Sequence, residues 1–299
     1  MGTQKIQFLM WTEVEITIFS DSSKKKISKD IEKAFDIFSK LEKIFSRFNK
    51  DSHLSQLNKY KTLEVNDLFL DVLLFSKKIY KKTGFFFNPL VDISGIWYSS
   101  TFKEGIFKKI YLGNNLELEN IIIIWNKVRL QFNQNLDFGW IVKWYTVDKV
   151  SSFLRKEGYS NFIVNAWGDI FVSWNVSWEK ITVAIDSPFV PGDIFALLEI
   201  ENMALSTSGT YKRNWEIGDE SFHHIVTPKN GTNNNEIVSI SLLTEKCVLS
   251  DVYATACIAM WIDKALQFLT EQKVDGIIIW SDKKVHISGN LEKYNFDVI

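Results

Sequence analysis

An aspartate and a threonine, Asp251 and Thr255, stand four residues apart in the segment SDVYATA of residues 250–256. On a helix this spacing places both side chains on one face. A carboxylate and a hydroxyl, completed by a backbone carbonyl from elsewhere, form an oxygen set suited to Mg²⁺, which keeps waters and binds substrate phosphates. The alternative interpretation is structural, with Asp251 as an N-cap and Thr255 bonded back to a carbonyl of its own helix.

Two further segments have groups suited to a phosphate or a flavin. Residues 206–209 (STSG) predict a small-residue turn whose backbone N–H groups can approach a phosphate, although such a turn is also a generic loop. His224 lies with Pro228 and Gly231 in a polar, turn-rich stretch that suits a ligand-binding surface. It could bond a flavin or a pyrophosphate, and an ordinary surface histidine is the equal alternative.

Composition argues against several other functions. The formal net charge of −1 gives no electrostatic case for binding nucleic acid or an anionic membrane surface. The four histidines lack metal-ligand spacing, which argues against a zinc site, and neither a G-x-S-x-G elbow nor a P-loop is present. The apolar runs are only strand-length, so no membrane span is expected. Because no export signal is visible, the sequence favours a cytoplasmic protein.

Periodicity predicts the elements that must position these residues. Alternating or β-branched runs predict strands at residues 14–19, 162–172 and 181–185, a strand pair at residues 121–132, and a closing hairpin of residues 276–280 and 285–288. Apolar residues at helical spacing predict helices at residues 29–45, 68–80, 145–157 and 249–269. Helices mixed with hairpin strands predict an α+β fold of mixed, largely antiparallel sheets packed with helices. We expect one domain over residues 1–299, folded as a compact unit of two interleaved lobes.

Five segments, taken in order, are similar to motifs of the FAD:protein FMN transferase family, the ApbE-like flavin transferases. Residues 45–58 (FSRFNKDSHLSQLN) resemble S-r-f/y-x-x-D-S-x-l-s-x-l-N, and residues 136–148 (LDFGWIVKWYTVD) resemble D-L-G-x-I-A-K-G-y-a-v-D. Residues 206–209 and 224–231 (HIVTPKNG) resemble T-S-G followed by H-I-I-D-P-x-x-G, and residues 250–256 resemble A-D-x-x-A-T-A. One such segment alone carries little weight, but together they cover nearly the whole chain in the family's order.

The resemblance implies a set of site residues. It implies that Mg²⁺ is held by Asp251, Thr255 and the backbone carbonyl of Trp140, and that Asp251, Lys143 and His224 are catalytic. It further implies that FAD is bound by Met10, Phe48, Gly95, Trp97, Asp137, Lys143, Thr207, Ser208, Gly209, His224 and Ile225. A lysine near a pyrophosphate stabilises the charge that develops as the phosphoanhydride breaks. The alternative for Lys143 is a solvated position at the end of a strand, which is the commoner situation for an isolated lysine.

The activity implied by the resemblance is Mg²⁺-dependent transfer of FMN from FAD to a threonine hydroxyl of a target flavoprotein, with release of AMP. Such chemistry requires positioning, charge neutralisation and an in-line nucleophile. If water attacks instead, the same site is an FAD pyrophosphatase. The resemblance implies that the residue at position 48, which is Tyr or Asn in relatives, decides between these two outcomes. Phe48 offers no hydrogen bond, so it leaves the choice open. A flavin-binding relative without turnover is the third alternative.

Six tryptophans stand where the family motifs have glycine or another small residue: Trp11, Trp140, Trp144, Trp167, Trp174 and Trp261. Glycine permits a positive φ or a close approach of the backbone to a ligand, and tryptophan permits neither. The chain has 14 glycines, whereas an average usage of roughly 7% gives about 21. We therefore hypothesise that UGA codons, read as glycine in the source cell, were translated here as tryptophan. A diverged, inactive relative is the rival explanation.

Overall fold

The computed structural model describes residues 2–90, 117–176, 180–212, 214–217, 220–229 and 231–299. Gly95 and Trp97, two of the predicted FAD-binding residues, lie outside the described residues. Within these ranges the strands are β1 (Gly2–Leu9), β2 (Thr12–Phe19), β3 (Thr62–Glu64), β4 (Ile122–Ile124), β5 (Lys127–Arg129), β6 (Phe162–Ala166), β7 (Asp169–Ser173), β8 (Ile181–Asp186), β9 (Ile194–Ile200), β10 (Met203–Gly209), β11 (Asn214–Ile217), β12 (Glu220–His223), β13 (Ile237–Thr244), β14 (Asp275–Trp280), β15 (Val285–Ser288) and β16 (Asp297–Val298). The α-helices in the same ranges are α1 (Lys24–Phe45), α2 (His53–Tyr60), α3 (Asp67–Lys82), α4 (Val142–Lys156), α5 (Cys247–Ala259) and α6 (Ile262–Gln272).

An eight-stranded sheet forms the centre of the fold, in the order β1–β2–β6–β7–β10–β13–β14–β15. Each of its neighbouring pairs is antiparallel. Strands β8, β9 and β16 form a second sheet, β3, β5 and β4 a third, and β11 pairs with β12. The predicted α+β class with largely antiparallel sheets is therefore confirmed. No helix of the described residues is long and apolar enough to cross a membrane.

The core consists of two hydrophobic clusters, one on each face of the central sheet. Because successive side chains of a strand point to opposite faces, the apolar run in β14 contributes to both clusters. Ile278 belongs to the larger cluster, which the helices cover, and Ile277 and Ile279 belong to the smaller one, against β8 and β9. A strand buried on both faces shows no alternation, which explains the continuous apolar sequence there.

Several elements differ from the sequence prediction. Helix α1 begins before the predicted residue 29, because the Ser23 side chain caps it by accepting the Lys26 N–H. The helix predicted over residues 249–269 is two helices, α5 and α6, because Met260 and Trp261 adopt extended backbone conformations. The strand predicted over residues 162–172 is the hairpin β6–β7. Helix α2, capped by Ser52, was not predicted.

A buried carboxylate ties helix α1 to the end of α4. The Asp30 side chain is 3% exposed and accepts hydrogen bonds from Lys26 Nζ (2.9 Å), Lys33 Nζ (2.8 Å) and the Tyr159 hydroxyl (2.9 Å). Burial acts to raise the pKa of Asp30, but the three hydrogen bonds outweigh it and lower the pKa to about 2. The ionised carboxylate therefore stabilises the folded state.

Replacing this carboxylate tests its contribution. We expect Asp30→Asn to lower the free energy of unfolding at pH 7 by about 2 kcal/mol, the equivalent of the pKa depression. Since the folded-state pKa is depressed, this stability is present above the unfolded-state pKa of about 4 and is lost as the pH falls through about 2. Urea unfolding at several pH values measures the difference, with Asp36→Asn on the exposed face of α1 as the control. Equal stability of wild type and Asp30→Asn at pH 7 would contradict the assignment.

Candidate active site

Helix α5 carries Asp251 and Thr255, and a neighbouring helix fixes its first turn. The Asp148 carboxylate of α4 accepts the backbone N–H groups of Cys247 (2.8 Å) and Val248 (3.1 Å). These are two of the N–H groups that a helix leaves unpaired at its start. Burial raises the pKa of Asp148 to about 6, against the opposing effect of these two hydrogen bonds. Asp148 ends a motif quoted above, but the sequence did not single it out.

The Asp251 carboxylate is buried in the interior of α5, so it is not the N-cap of the structural alternative. The Trp144 side chain lies close enough to this carboxylate to act to lower its pKa. Its Oδ2 atom accepts no hydrogen bond from the residues that the structure describes. Burial, and then the charge of Asp169, raise the pKa of Asp251 well above its usual range, and Lys143 opposes the rise. A buried carboxylate oxygen without a donor is suited to a bound cation.

Asp169, at the start of β7, is a second buried carboxylate close enough to act on Asp251. It accepts the backbone N–H of Thr207 (2.9 Å). Burial raises the pKa of Asp169, and the Thr207 hydrogen bond, the Ser206 side chain and the charges of Lys143 and Lys212 act to lower it. Asp169 was not among the predicted site residues. The one indication in the sequence is its position two residues after Trp167, one of the six tryptophans that stand where family motifs have a small residue.

Residues 206–209 are the end of strand β10, not the predicted turn. Alternation along the strand directs Ser206 and Ser208 toward α5, where the Ser208 hydroxyl lies 3.2 Å from Thr255 Oγ1. Thr207 points to the opposite face and its Oγ1 lies 2.8 Å from Ser241 Oγ. A Cβ at Gly209 would clash with the Tyr211 ring. Ser208 thus adjoins the predicted metal ligand, whereas the backbone N–H of Thr207 already binds Asp169.

Asp137 shapes the turn that leads to Trp140. Its carboxylate pairs with Arg47 and accepts the Gly139 N–H (2.8 Å). The Arg47 guanidinium lies 5.1 Å from the ring centre of Phe48, another predicted FAD-binding residue. Arg47 is within the first quoted motif but was not singled out, because the sequence alone does not show that it meets a residue ninety positions away.

An open cleft of about 430 Å³ adjoins Thr255. Its lining residues are Phe86, Phe87, Asn88, Pro89, Trp140, His224, Ile225, Val226, Pro228 and Thr255. His224 is buried, which excludes the alternative of an ordinary surface histidine. The Trp140 ring stacks on the His224 ring, with 5.1 Å between centres and 21° between planes. Two predicted FAD-binding residues, His224 and Ile225, and two predicted metal ligands, Trp140 and Thr255, therefore share one cleft.

Lys143 and Met10 approach this region from two different elements. Lys143 lies in the first turn of α4, which excludes the predicted alternative of a strand end, and its Nζ lies 5.5 Å from the Trp167 ring centre. Its charge acts to lower the pKa of both Asp169 and Asp251. Met10 is buried in the turn between β1 and β2, and its Sδ lies 4.0 Å from Thr146 Oγ1 on α4.

The fold is that of solved ApbE proteins. The ApbE protein of Thermotoga maritima superposes with a TM-score of 0.87, at 17% identity, over 98% of this chain and 99% of that one. The flavin transferase ApbE of Vibrio cholerae gives a TM-score of 0.82, at 20% identity, over 98% and 99% of the two chains. Every described element of the site is therefore carried on the ApbE fold.

The model of the ApbE family matches residues 10–278, and the chain belongs to the ApbE family. It is 24% identical over 317 residues to the FAD:protein FMN transferase of Treponema pallidum, covering 96% of this chain and 87% of that protein. It is also 24% identical over 254 residues to the FAD:protein FMN transferase of Vibrio cholerae, covering 78% and 74% of the two proteins. The resemblance seen in the motifs is confirmed.

The loop that carries His224 is held in place by the ring of the preceding residue, His223. His223 Nε2 donates to the Asn234 carbonyl (3.1 Å), and His223 Nδ1 accepts the Ile225 N–H (3.2 Å), which fixes the neutral ring. Burial lowers the pKa of His223 to about 4, against the opposing effect of the Asn234 hydrogen bond. Because the unfolded chain binds the proton first, folding stability falls as the pH drops from about 6.5 to about 4.

We expect this loss to reach about 3 kcal/mol at pH 4 and to be absent from His223→Gln, which cannot titrate. The measurement is urea unfolding of both proteins from pH 4 to pH 7, with the stability difference between them plotted against pH. A difference that stays constant across this range would show that the ring is not held in its neutral form.

Proposed function

We propose that this chain transfers FMN from FAD to a threonine hydroxyl of a target flavoprotein and releases AMP, with Mg²⁺ bound at Asp251. The observation that carries the proposal is the buried Asp251 carboxylate, whose Oδ2 atom has no donor among the described residues. It lies one helical turn from Thr255, within the field of Lys143. Relatives over most of the chain are named FAD:protein FMN transferases, which supports the substrate.

The donor set fits Mg²⁺. The Asp251 carboxylate, the Thr255 hydroxyl and the Trp140 carbonyl would hold the ion, and all three are the hard oxygen ligands that Mg²⁺ prefers. Burial and the charge of Asp169 disfavour ionisation of Asp251, so a cation bound at Asp251 would offset this penalty and hold the carboxylate in its ionised form. Within the described ranges no group of three His, Cys, Asp or Glu residues could hold a metal ion, so the site depends on these mixed oxygens. Bound Mg²⁺ would neutralise charge on the FAD pyrophosphate.

The chain's own residues would bind and orient the substrate. Lys143 would place a positive charge beside the pyrophosphate, where charge accumulates as the phosphoanhydride breaks. His224 and Ile225 line the cleft beside Thr255, where they would contact the flavin or the pyrophosphate. In the transfer, the threonine hydroxyl gives up its proton to water as its oxygen forms a bond to the FMN phosphorus, the phosphoanhydride bond breaks, and AMP leaves with the electron pair of that bond.

Asp251→Asn tests the site. We expect AMP release from FAD in the presence of Mg²⁺ to fall about 100-fold or more, because the variant loses the anion that would hold the ion. The matched control is Asp263→Asn, an exposed aspartate on the adjacent helix α6, which should retain full activity. Both variants are made in the printed sequence and in one with glycine at the six tryptophan positions named above. AMP release that survives Asp251→Asn in both forms would contradict the proposal.

The acceptor distinguishes transfer from hydrolysis. We expect AMP release to depend on a flavoprotein acceptor and to be accompanied by covalent FMN, seen as a mass increase on the acceptor threonine. An acceptor in which this threonine is replaced by alanine should remain unlabelled. AMP and free FMN produced equally without any acceptor would instead identify an FAD pyrophosphatase. Phe48, 44% exposed and without a hydrogen-bonding group, is the residue to replace in that case.

A further inference from the structure

Among the described residues, three tryptophans have a backbone conformation that suits glycine. Trp11, Trp125 and Trp167 have φ angles of 64°, 56° and 62°. A bulky residue with positive φ is a genuine outlier, because its Cβ crowds the following carbonyl oxygen. The three side chains are 64%, 90% and 53% exposed, so burial does little to offset this cost. The strain is therefore not explained by packing.

Each of these tryptophans lies in a two-residue hairpin turn. The strand pairings leave Met10–Trp11, Trp125–Asn126 and Trp167–Gly168 as the loops of β1–β2, β4–β5 and β6–β7. Both loop residues have positive φ in the first and third turns, as in type I′ turns, which favour Asn-Gly or Gly-Gly. In the second turn only Trp125 has positive φ, as in type II′ turns, where this position is glycine.

The positive φ of Trp125 is an observation that does not depend on the resemblance to the family motifs. It was not among the six suspect tryptophans, and it lies in the three-stranded sheet β3–β5–β4 rather than in the central sheet. The same conformational anomaly therefore occurs at a position that no motif had marked. Trp174 and Trp261, by contrast, have no positive φ and take no part in the inference.

In the predicted FAD site, four tryptophans each lie beside a different site residue. Two of them, at positions 11 and 167, also have positive φ. The four contacts are Trp11 with Phe48 (4.9 Å between ring centres), Trp140 stacked on His224 (5.1 Å), Trp167 with Lys143 (5.5 Å from ring centre to Nζ), and Trp144 with Asp251, whose pKa it acts to lower. Four indole rings therefore cover the groups that FAD and Mg²⁺ would contact.

We infer that the protein made in its source cell has glycine at positions 11, 125 and 167, and that glycine at 11, 140, 144 and 167 opens the FAD site. Glycine at position 140 removes a ring from the wall of the cleft beside Thr255. Glycine at position 144 removes the indole that acts on the pKa of Asp251 and leaves more space for a cation beside this carboxylate. The claim that the site opens for FAD rests on the proposed function, whereas the claim that residues 11, 125 and 167 are glycine does not.

The residue identities are tested on the natural gene and protein. We expect UGA codons at positions 11, 125 and 167, and peptides from the protein isolated from its source cells to have the masses of glycine at these positions. A tryptophan mass at any of the three in the natural protein overturns the inference. This test requires neither FAD nor activity, so its outcome is separate from that of the proposed function.

Trp125→Gly tests the backbone strain alone. We expect the ratio of folded to unfolded protein in urea to rise about 2- to 10-fold, since relief of the left-handed strain exceeds the entropy cost of glycine. The matched control is Trp280→Gly, a tryptophan in β14 without positive φ that packs against the larger cluster, and this change should lower the ratio. A loss of stability in Trp125→Gly comparable to that in Trp280→Gly would overturn the inference.

The opening of the site is tested by FAD fluorescence titration. We expect the variant with glycine at positions 11, 140, 144 and 167 to bind FAD with Mg²⁺ about 10-fold tighter or more than the printed sequence, and Trp125→Gly to bind it unchanged. Trp140→Gly alone is measured as well, so that the test survives if the fourfold variant does not fold. Equal FAD affinity of all forms overturns the opened site. Tight FAD binding without AMP release would support the inference and contradict the proposed function.

Discussion

Two carboxylates, Asp169 and Asp251, are buried close enough to raise each other's energy of ionisation, and this constraint organises the site. Burial of one carboxylate is costly, and burial of two beside each other costs more unless positive charge is near. Lys143 supplies one positive charge, and the backbone N–H of Thr207 donates to Asp169. Asp251 keeps an oxygen without a donor among the described residues. The proposed Mg²⁺ would therefore offset a cost that the described protein groups leave uncompensated.

The fold holds this charge in place through contacts between distant segments. Asp148 on α4 caps the start of α5, the helix that carries Asp251, and this contact fixes the position of α5 against α4. Strand β10 lies against the same helix and presents a row of small hydroxyl side chains, Ser206 and Ser208, to it. Small residues there leave room between strand and helix for the hydroxyl of Thr255. The central sheet thus fixes one wall of the site and α4 the other.

Periodicity and motif order were sufficient to predict the α+β class, the strand pair at β4–β5, the hairpin β14–β15 and the helical placement of Asp251 and Thr255. They were not sufficient where tertiary contacts decide the local structure. Residues 206–209 have the composition of a turn but form a strand, because β13 pairs with them along their whole length. The helical pattern continues through Met260, so the change of direction there leaves no signal in the apolar spacing. Asp148 and Asp169 act through partners 38 to 100 residues away, which a local pattern does not show.

Thermal unfolding of the wild type and Asp251→Asn, each with Mg²⁺ and with a chelator, tests whether Asp251 binds the cation. Because burial raises the pKa of Asp251, folding the carboxyl at pH 7 without a cation costs free energy, so Asp251→Asn should unfold at a higher temperature than the wild type in chelator. The same variant should lose the Mg²⁺-induced rise in unfolding temperature that the wild type shows. A variant that is less stable than the wild type in chelator, or that keeps the full Mg²⁺-induced rise, would contradict the account.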